Sequence, residues 1–257
     1  DVYKRQVVSR AVGPGRGSLA GLAWLAGVGP APVEAWGIAM GWAPSTTFSH
    51  AARLIDAGLA ESCRLRHGEG SLIYATRSGV EDSGAFAPAL PRVPAPNTWA
   101  HLEACAWTAA WLTARGRHVI GSRSLLLDDG WKGQLEWLER DGLRRRAHRP
   151  DLLTGQRADG RLLPVEVELS NKSPKRLRAV LGLHAAWIAA GKTSATIYVC
   201  GPTQLAERVR REAAEFGLTG ERKTLRVELL DTVIAAARAT RLGAESRQGI
   251  LVSGGVA

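Results

Sequence analysis

The segment Leu162-Leu163-Pro164-Val165-Glu166-Val167-Glu168-Leu169-Ser170 carries the most chemically suggestive spacing in the chain. Val165, Val167 and Leu169 alternate with Glu166, Glu168 and Ser170, so a strand here puts both glutamates on one face. Like charges placed side by side repel unless a cation offsets them. A divalent ion with hard oxygen ligands, Mg²⁺ or Mn²⁺, is one such partner. An ion-pair network with Arg149, Lys172 or Arg176 is the other. Asp151, following Pro150, adds a third carboxylate that serves either as a metal ligand or as a turn cap.

Ser173-Pro174 is an N-cap and first-turn pair for a helix running to about Ala190. Lys175, Arg176 and Arg178 crowd its first turns, where positive charge opposes the helix dipole. A polyanion bound there accounts for that placement. Gly191-Lys192-Thr193 imitates the end of a phosphate-binding loop, but Ala186 stands where that motif needs glycine. His101 and Glu103 read as structural, and Trp107, Trp111, Trp137 and Trp187 as core anchors.

These groups need a scaffold, and the chain of 257 residues is long enough to bury a substantial core. Its apolar fraction of 45% is that of a globular protein and excludes a disordered one. Cys63, Cys105 and Cys200 form no disulfide framework and no paired metal-ligand spacing. No apolar run approaches the roughly 18 residues of a membrane span, and no signal peptide is evident. A cytoplasmic, membrane-free protein is the expectation. The net charge of +10 is uneven: residues 1–97 carry 9 basic and 7 acidic groups, residues 98–257 carry 25 and 17. That basic excess favours a polyanionic partner.

Pro88-Ala89-Leu90-Pro91-Arg92-Val93-Pro94-Ala95-Pro96 denies backbone donors to a helix or central strand and reads as a linker. The expected organisation is a ragged leader over 1–17, a first unit over 18–87, the linker over 88–97, an α/β domain over 98–231 and a helical or flexible tail over 232–257. In the first unit, two helices precede a Gly41-Trp42-Ala43-Pro44 turn. Ser45 then caps a third helix to about Ala57, with Phe48, Ala51, Ala52 and Ile55 facing inward. Strands over Ala60–Arg66 and Leu72–Thr76 complete the order of a winged helix-turn-helix. Thr46, Thr47, Ser49, His50 and Arg53 are then offered to a DNA groove, with Arg64, Arg66 and His67 on the wing. Such modules also bind proteins.

In the second unit the periodicity predicts a helix over Trp99–Ala114, a strand within His118–Leu127, and a short helix marked by Trp131, Leu135 and Leu138. A basic run, Arg144-Arg145-Arg146-Ala147-His148-Arg149, leads into a strand. After the acidic strand and basic helix come strand Ala195–Cys200, helix Thr203–Phe216, strand Thr224–Leu230 and a helix near Thr232–Arg241. The sum is a mixed α/β sheet.

Pro150-Asp151, followed by Glu166-Val167-Glu168 and Lys172, resembles the PD-(D/E)XK nuclease signature. More narrowly, the chain resembles the bacterial plasmid replication-relaxation family over roughly residues 18–218. The resemblance rests on the hairpin Leu72–Gly79, the helix at His101, Arg149-Pro150-Asp151 and the run Glu166–Ser173. It implies a winged helix-turn-helix followed by a PD-(D/E)XK-like domain, in a DNA-binding protein of mobile-element replication or relaxation. Carried over, Asp151, Glu166 and Glu168 would hold Mg²⁺ or Mn²⁺ and, with Lys172, form the catalytic set. The cation would activate a water for in-line hydrolysis near neutral pH. Lys175 and Arg176 would join the DNA contacts, and partners would be DNA, a second copy, or plasmid replication and mobilisation proteins. The signature normally places lysine two residues after the acid, where this chain has Glu168. A migrated Lys172 serving in its place, or a nuclease-like fold that only binds or regulates, are the two consequences.

Overall fold

A computed structural model describes residues 16–64, 70–84, 95–155, 161–171, 173–220 and 224–253, with side chains through Arg241. Helix α1 (Arg16–Val28) buries Leu22, Leu25 and Ala26. Strand β1 (Ala31–Pro32) leads directly into α2 (Val33–Met40), which Gly41 ends in the left-handed region, φ 67°. Then come α3 (Pro44–Asp56), β2 (Ala60–Cys63), β3 (Leu72–Ala75) and α4 (Arg77–Asp82). These strands form an antiparallel sheet of order β1-β3-β2. Trp36, Leu54, Ile73 and the α1 leucines pack its core, and the Trp36 indole donates to the Gly21 carbonyl at 3.0 Å.

Helix α3 corrects its expected register. It starts at Pro44, with Ala43 rather than Ser45 in the capping position. Thr47, Ala51 and Leu54 face inward, while Phe48 is 63% exposed and Ile55 39%. The reason is packing against α2, where Gly37 has no side chain and the Thr47 side chain fills the space a Cβ would take. Thr47 also donates to the Ala43 carbonyl at 2.9 Å, so its small polar group is satisfied where it is buried.

The rest comprises α5 (Trp99–Ala114), β4 (His118–Gly121), α6 (Ser122–Leu125), β5 (Gly133–Glu139), β6 (Gly142–His148), β7 (Leu152–Gly155) and β8 (Leu162–Glu168). After them come α7 (Pro174–Ala189), β9 (Thr196–Cys200), α8 (Thr203–Ala214), β10 (Leu225–Leu229) and α9 (Leu230–Ser253). Five strands form a mixed sheet of order β10-β9-β8-β7-β4. β4, β7 and β8 run as an antiparallel meander, and β8, β9 and β10 are parallel, so the chain is mixed α/β. Among the described residues no helix is long and apolar enough to cross a membrane.

The expected helix through Trp131, Leu135 and Leu138 is instead a turn of 3₁₀ helix at Trp131 followed by β5. Their i, i+4, i+7 spacing mimics a helix. Two local features override it: Arg140-Asp141 closes a tight turn before Gly142 at φ 128°, and Leu135 is buried between exposed Gln134 and Glu136. β5 and β6 make a separate hairpin whose Leu135 packs among Leu177, Val180 and Leu181 of α7.

Helix α5 is apolar nearly all round because it is covered on several sides. Val28, Ala35, Ile38 and Ala39 of the first unit share its core with Val165, Val167 and Val199 of the sheet. Val233 and Ala237 of α9 join the same core, so the expected tail begins as a docked helix. Arg238 of α9 also donates two hydrogen bonds to Glu34 of α2, at 2.9 and 2.8 Å. Of the expected linker 88–97, residues 88–94 lie outside the described residues, as do 65–69 and 156–160, and Pro96–Thr98 forms a turn of 3₁₀ helix.

Candidate active-site cleft

Antiparallel pairing of β7 with β8 puts Leu152 opposite Val165, so Asp151 arrives beside the acidic strand. Its Oδ2 accepts the Val167 backbone N–H at 2.8 Å, which pins the carboxylate between the two glutamates. Strand alternation sends Val165 and Val167 into the α5 core and turns Glu166 and Glu168 to the face covered by α7. Both glutamates are buried, at 1% and 3% exposure.

Three histidines complete the arrangement. His101 of α5 lies 3.1 Å from Asp151 Oδ1, with Cys105 Sγ 3.5 Å from the same ring nitrogen. His148, at the end of β6, brings Nε2 to 2.8 Å from Glu166 Oε1. His184 of α7 brings its Nε2 to 3.4 Å from that oxygen, close but without hydrogen-bond alignment. Its Nδ1 faces the hydroxyls of Thr196 at 3.1 Å and Tyr198 at 3.3 Å.

Burial, reinforced by the charges of Asp151 and Glu166, pushes the Cys105 thiol well above its usual range. It stays protonated near neutral pH and is a poor nucleophile. Burial likewise raises the Tyr198 phenol, with Glu166 and Glu168 adding to the effect. Both groups therefore stay protonated near neutral pH beside the carboxylates and imidazoles.

Asp151, Glu166, Glu168, His101 and His148 line one cleft of about 490 Å³, whose basic side holds Arg146, Arg149 and Arg176, while His184 is buried behind it. Arg149 pairs with Asp129 at 2.7 Å. Arg146 is exposed with no acidic partner among the described residues. The Nε atoms of Arg149 and Arg176 are buried without a hydrogen-bond partner among those residues. Cations short of partners beside a cleft suit an anionic ligand.

The expected site residues therefore divide. Asp151, Glu166, Glu168 and Arg176 meet in the cleft, whereas Lys172 and Arg66 lie outside the described residues. Lys175 is exposed and ties α7 to the β5–β6 hairpin through the Leu138 carbonyl at 2.7 Å. Thr46, Ser49 and Arg53 are exposed on α3, and Arg64 donates to Ser71 at 2.8 Å. Thr47 is buried and presents nothing to a groove. His50 is half-buried, 2.6 Å from Ser18 Oγ and stacked on Trp42, which makes it a packing residue. Lys192, from the discarded phosphate-loop segment, sits over the Trp131 and Trp187 rings at 4.5 and 4.2 Å.

Sequence reasoning missed His148 and His184 as members of the site. A histidine at a strand end and another inside an amphipathic helix share no motif, and only the fold makes them neighbours. No protein-family model, no curated protein and no solved structure matches this chain.

Proposed function

We propose that the chain is a DNA-processing protein of plasmid or other mobile-element replication and relaxation, binding duplex through α1–β3 and hydrolysing phosphodiesters in the cleft. The single observation that carries the hydrolytic reading is the convergence of Asp151, Glu166 and Glu168 with Arg146 and Arg176 in one cleft. The meander β4-β7-β8, continued through α7 to the parallel strand β9, is compatible with a PD-(D/E)XK-like core. The order α1-β1-α2-α3-β2-β3, with β1 paired to β3, supports a winged helix-turn-helix.

The donor set suits a divalent cation. Asp151, Glu166 and Glu168 supply carboxylate oxygens, and the imidazoles at their side favour Mn²⁺ over Mg²⁺. Such a cation supplies charge neutralisation and water activation at the phosphate. The chain's own groups orient that chemistry. Val167 N–H and His101 fix the Asp151 carboxylate, His148 fixes Glu166, and Arg146 and Arg176, in the cleft lining, would meet the backbone phosphates of a bound duplex.

Supercoiled plasmid incubated with Mn²⁺ tests this reading. Wild type yields nicked circles, and Asp151→Asn and Glu168→Gln each lose about 100-fold or more in rate. Equal nicking by the variants, or none by wild type with any cation, contradicts hydrolysis in this cleft. One observation favours a second reading, a DNA-binding factor without catalysis: Glu166 is 1% exposed and already bonded to His148. Salt-sensitive retardation of DNA without any nicking would support that reading.

A further inference from the structure

We infer that His148, Glu166 and His184 form a binding site for a divalent transition metal of the zinc class, distinct from the Asp151–Glu168 side of the cleft. Three facts carry it. One ligand atom from each residue lies within 4.8 Å of the other two. His184 is fully buried, and its Nε2 points at Glu166 Oε1 without a hydrogen-bond partner among the described residues. Buried imidazole nitrogens are not ordinarily left unsatisfied.

The other side of the ring suits metal binding. With the Thr196 hydroxyl donating to the Pro164 carbonyl at 3.3 Å, its oxygen is available to accept from His184 Nδ1 at 3.1 Å, the tautomer a metal-bound Nε2 requires; the Tyr198 hydroxyl lies 3.3 Å from the same nitrogen. With the proton on Nδ1, Nε2 carries a lone pair facing a carboxylate oxygen. Two electron-rich atoms 3.4 Å apart repel across dry space, whereas a cation between them binds both. Fixing a ligand imidazole through its other nitrogen is the usual arrangement at metal centres.

The spacing fits. Bonds of about 2.0–2.1 Å at tetrahedral angles separate ligand atoms by roughly 3.3 Å. The His184–Glu166 separation of 3.4 Å is already there, and the 2.8 Å His148–Glu166 contact needs to open by only a few tenths of an ångström. Two nitrogens and one oxygen select a borderline-soft ion over Mg²⁺. The His148 side chain is 10% exposed at the cleft, so a fourth position opens there, the pattern of a reactive rather than a closed structural site.

The other compact group, His101, Cys105 and Asp151, is a weaker candidate. Asp151 Oδ2 is committed to the Val167 N–H, and the Cys105 thiol is held protonated. The proposed site shares Glu166 with the nuclease reading but is measured without DNA, so either can fail alone.

Chelator-stripped full chain, dialysed against Zn²⁺ and separately titrated with Co²⁺, gives the test. One Zn²⁺ per chain and a visible Co²⁺ ligand-field spectrum are expected, neither displaced by about a hundredfold excess of Mg²⁺. His148→Gln, a substitution at the cleft edge, should weaken Co²⁺ binding at least about 100-fold while leaving the circular dichroism unchanged. His184→Gln should do the same; if it unfolds the chain, the His148→Gln result decides alone. Absence of Zn²⁺ and Co²⁺ binding in wild type overturns the inference. So does unchanged binding by His148→Gln, or a loss in Asp151→Asn as large as in His148→Gln.

Discussion

Gly121→Ala is the sharpest structural perturbation, because Gly121 is where the first unit meets the sheet backbone to backbone. A Cβ there would stand 2.3 Å from the Gly27 carbonyl oxygen and 2.4 Å from Val28 Cα. Ordinary contact is about 3.4 Å or more, so α1 and β4 must separate by about 1 Å, and no flexible side chain is available to yield instead. Overpacking of this kind costs about 3 kcal/mol. In a chain of this size each kcal/mol moves the midpoint by about 2–4 °C, giving a loss of about 6–12 °C. Removing the half-exposed Arg238–Glu34 pair with Glu34→Ala should cost no more than about 1 kcal/mol. Circular dichroism melts of wild type and both variants provide the comparison. If Gly121→Ala melts within a degree of wild type, the close α1–β4 approach is wrong, and with it the fixed placement of the first unit beside the cleft.

Three further outcomes follow from the same structure. Trp36→Phe removes the indole's bond to the mid-helix Gly21 carbonyl and should cost about 0.5–1.5 kcal/mol in urea unfolding, whereas a change within a few tenths would deny that bond a role. Cys105 and Tyr198 both have raised folded-state pKa values, so their contribution is complete below the unfolded pKa values of about 8.5 and 10 and is lost as pH rises past them. The unfolding free energy from urea titrations should accordingly fall above about pH 9, by up to about 1.4 kcal/mol per pH unit for each group, and less steeply in Cys105→Ala; a pH-independent free energy would refute this. Arg53→Ala on the exposed face of α3 should weaken DNA binding and reduce the salt slope by about 1, while Thr47→Ser should leave both unchanged. The reverse order would place the DNA-contacting surface elsewhere.

The parts legible in the sequence were those whose local pattern agreed with their tertiary setting. The Val-Glu alternation of β8 predicted two glutamates on one face, and the structure has them there. Ser173 caps α7 as expected, its side chain accepting the Arg176 N–H at 3.3 Å. Where local spacing disagreed with tertiary setting, pattern reading failed. Trp131, Leu135 and Leu138 carry helical spacing, yet Leu135 and Leu138 fall on opposite faces of β5, and the Arg140-Asp141-Gly142 turn fixes the strand. In α3 the choice between Phe48 and Thr47 as the inward residue was settled by Gly37 on the neighbouring helix, which α3's own periodicity does not encode. The His148–Glu166–His184 group was invisible for a related reason. Its members come from β6, β8 and α7, and only the packing of the β5–β6 hairpin and α7 against the sheet brings them together.

Single-turnover cleavage of a labelled duplex, with binding and hydrolysis read from the same Mn²⁺-containing sample, tests the central claim most directly. Wild type should bind and cleave, whereas Asp151→Asn should bind with similar affinity and cleave about 100-fold more slowly or not at all. Bound duplex that wild type never cleaves, or cleavage that survives the loss of Asp151, would contradict a hydrolytic role for the cleft.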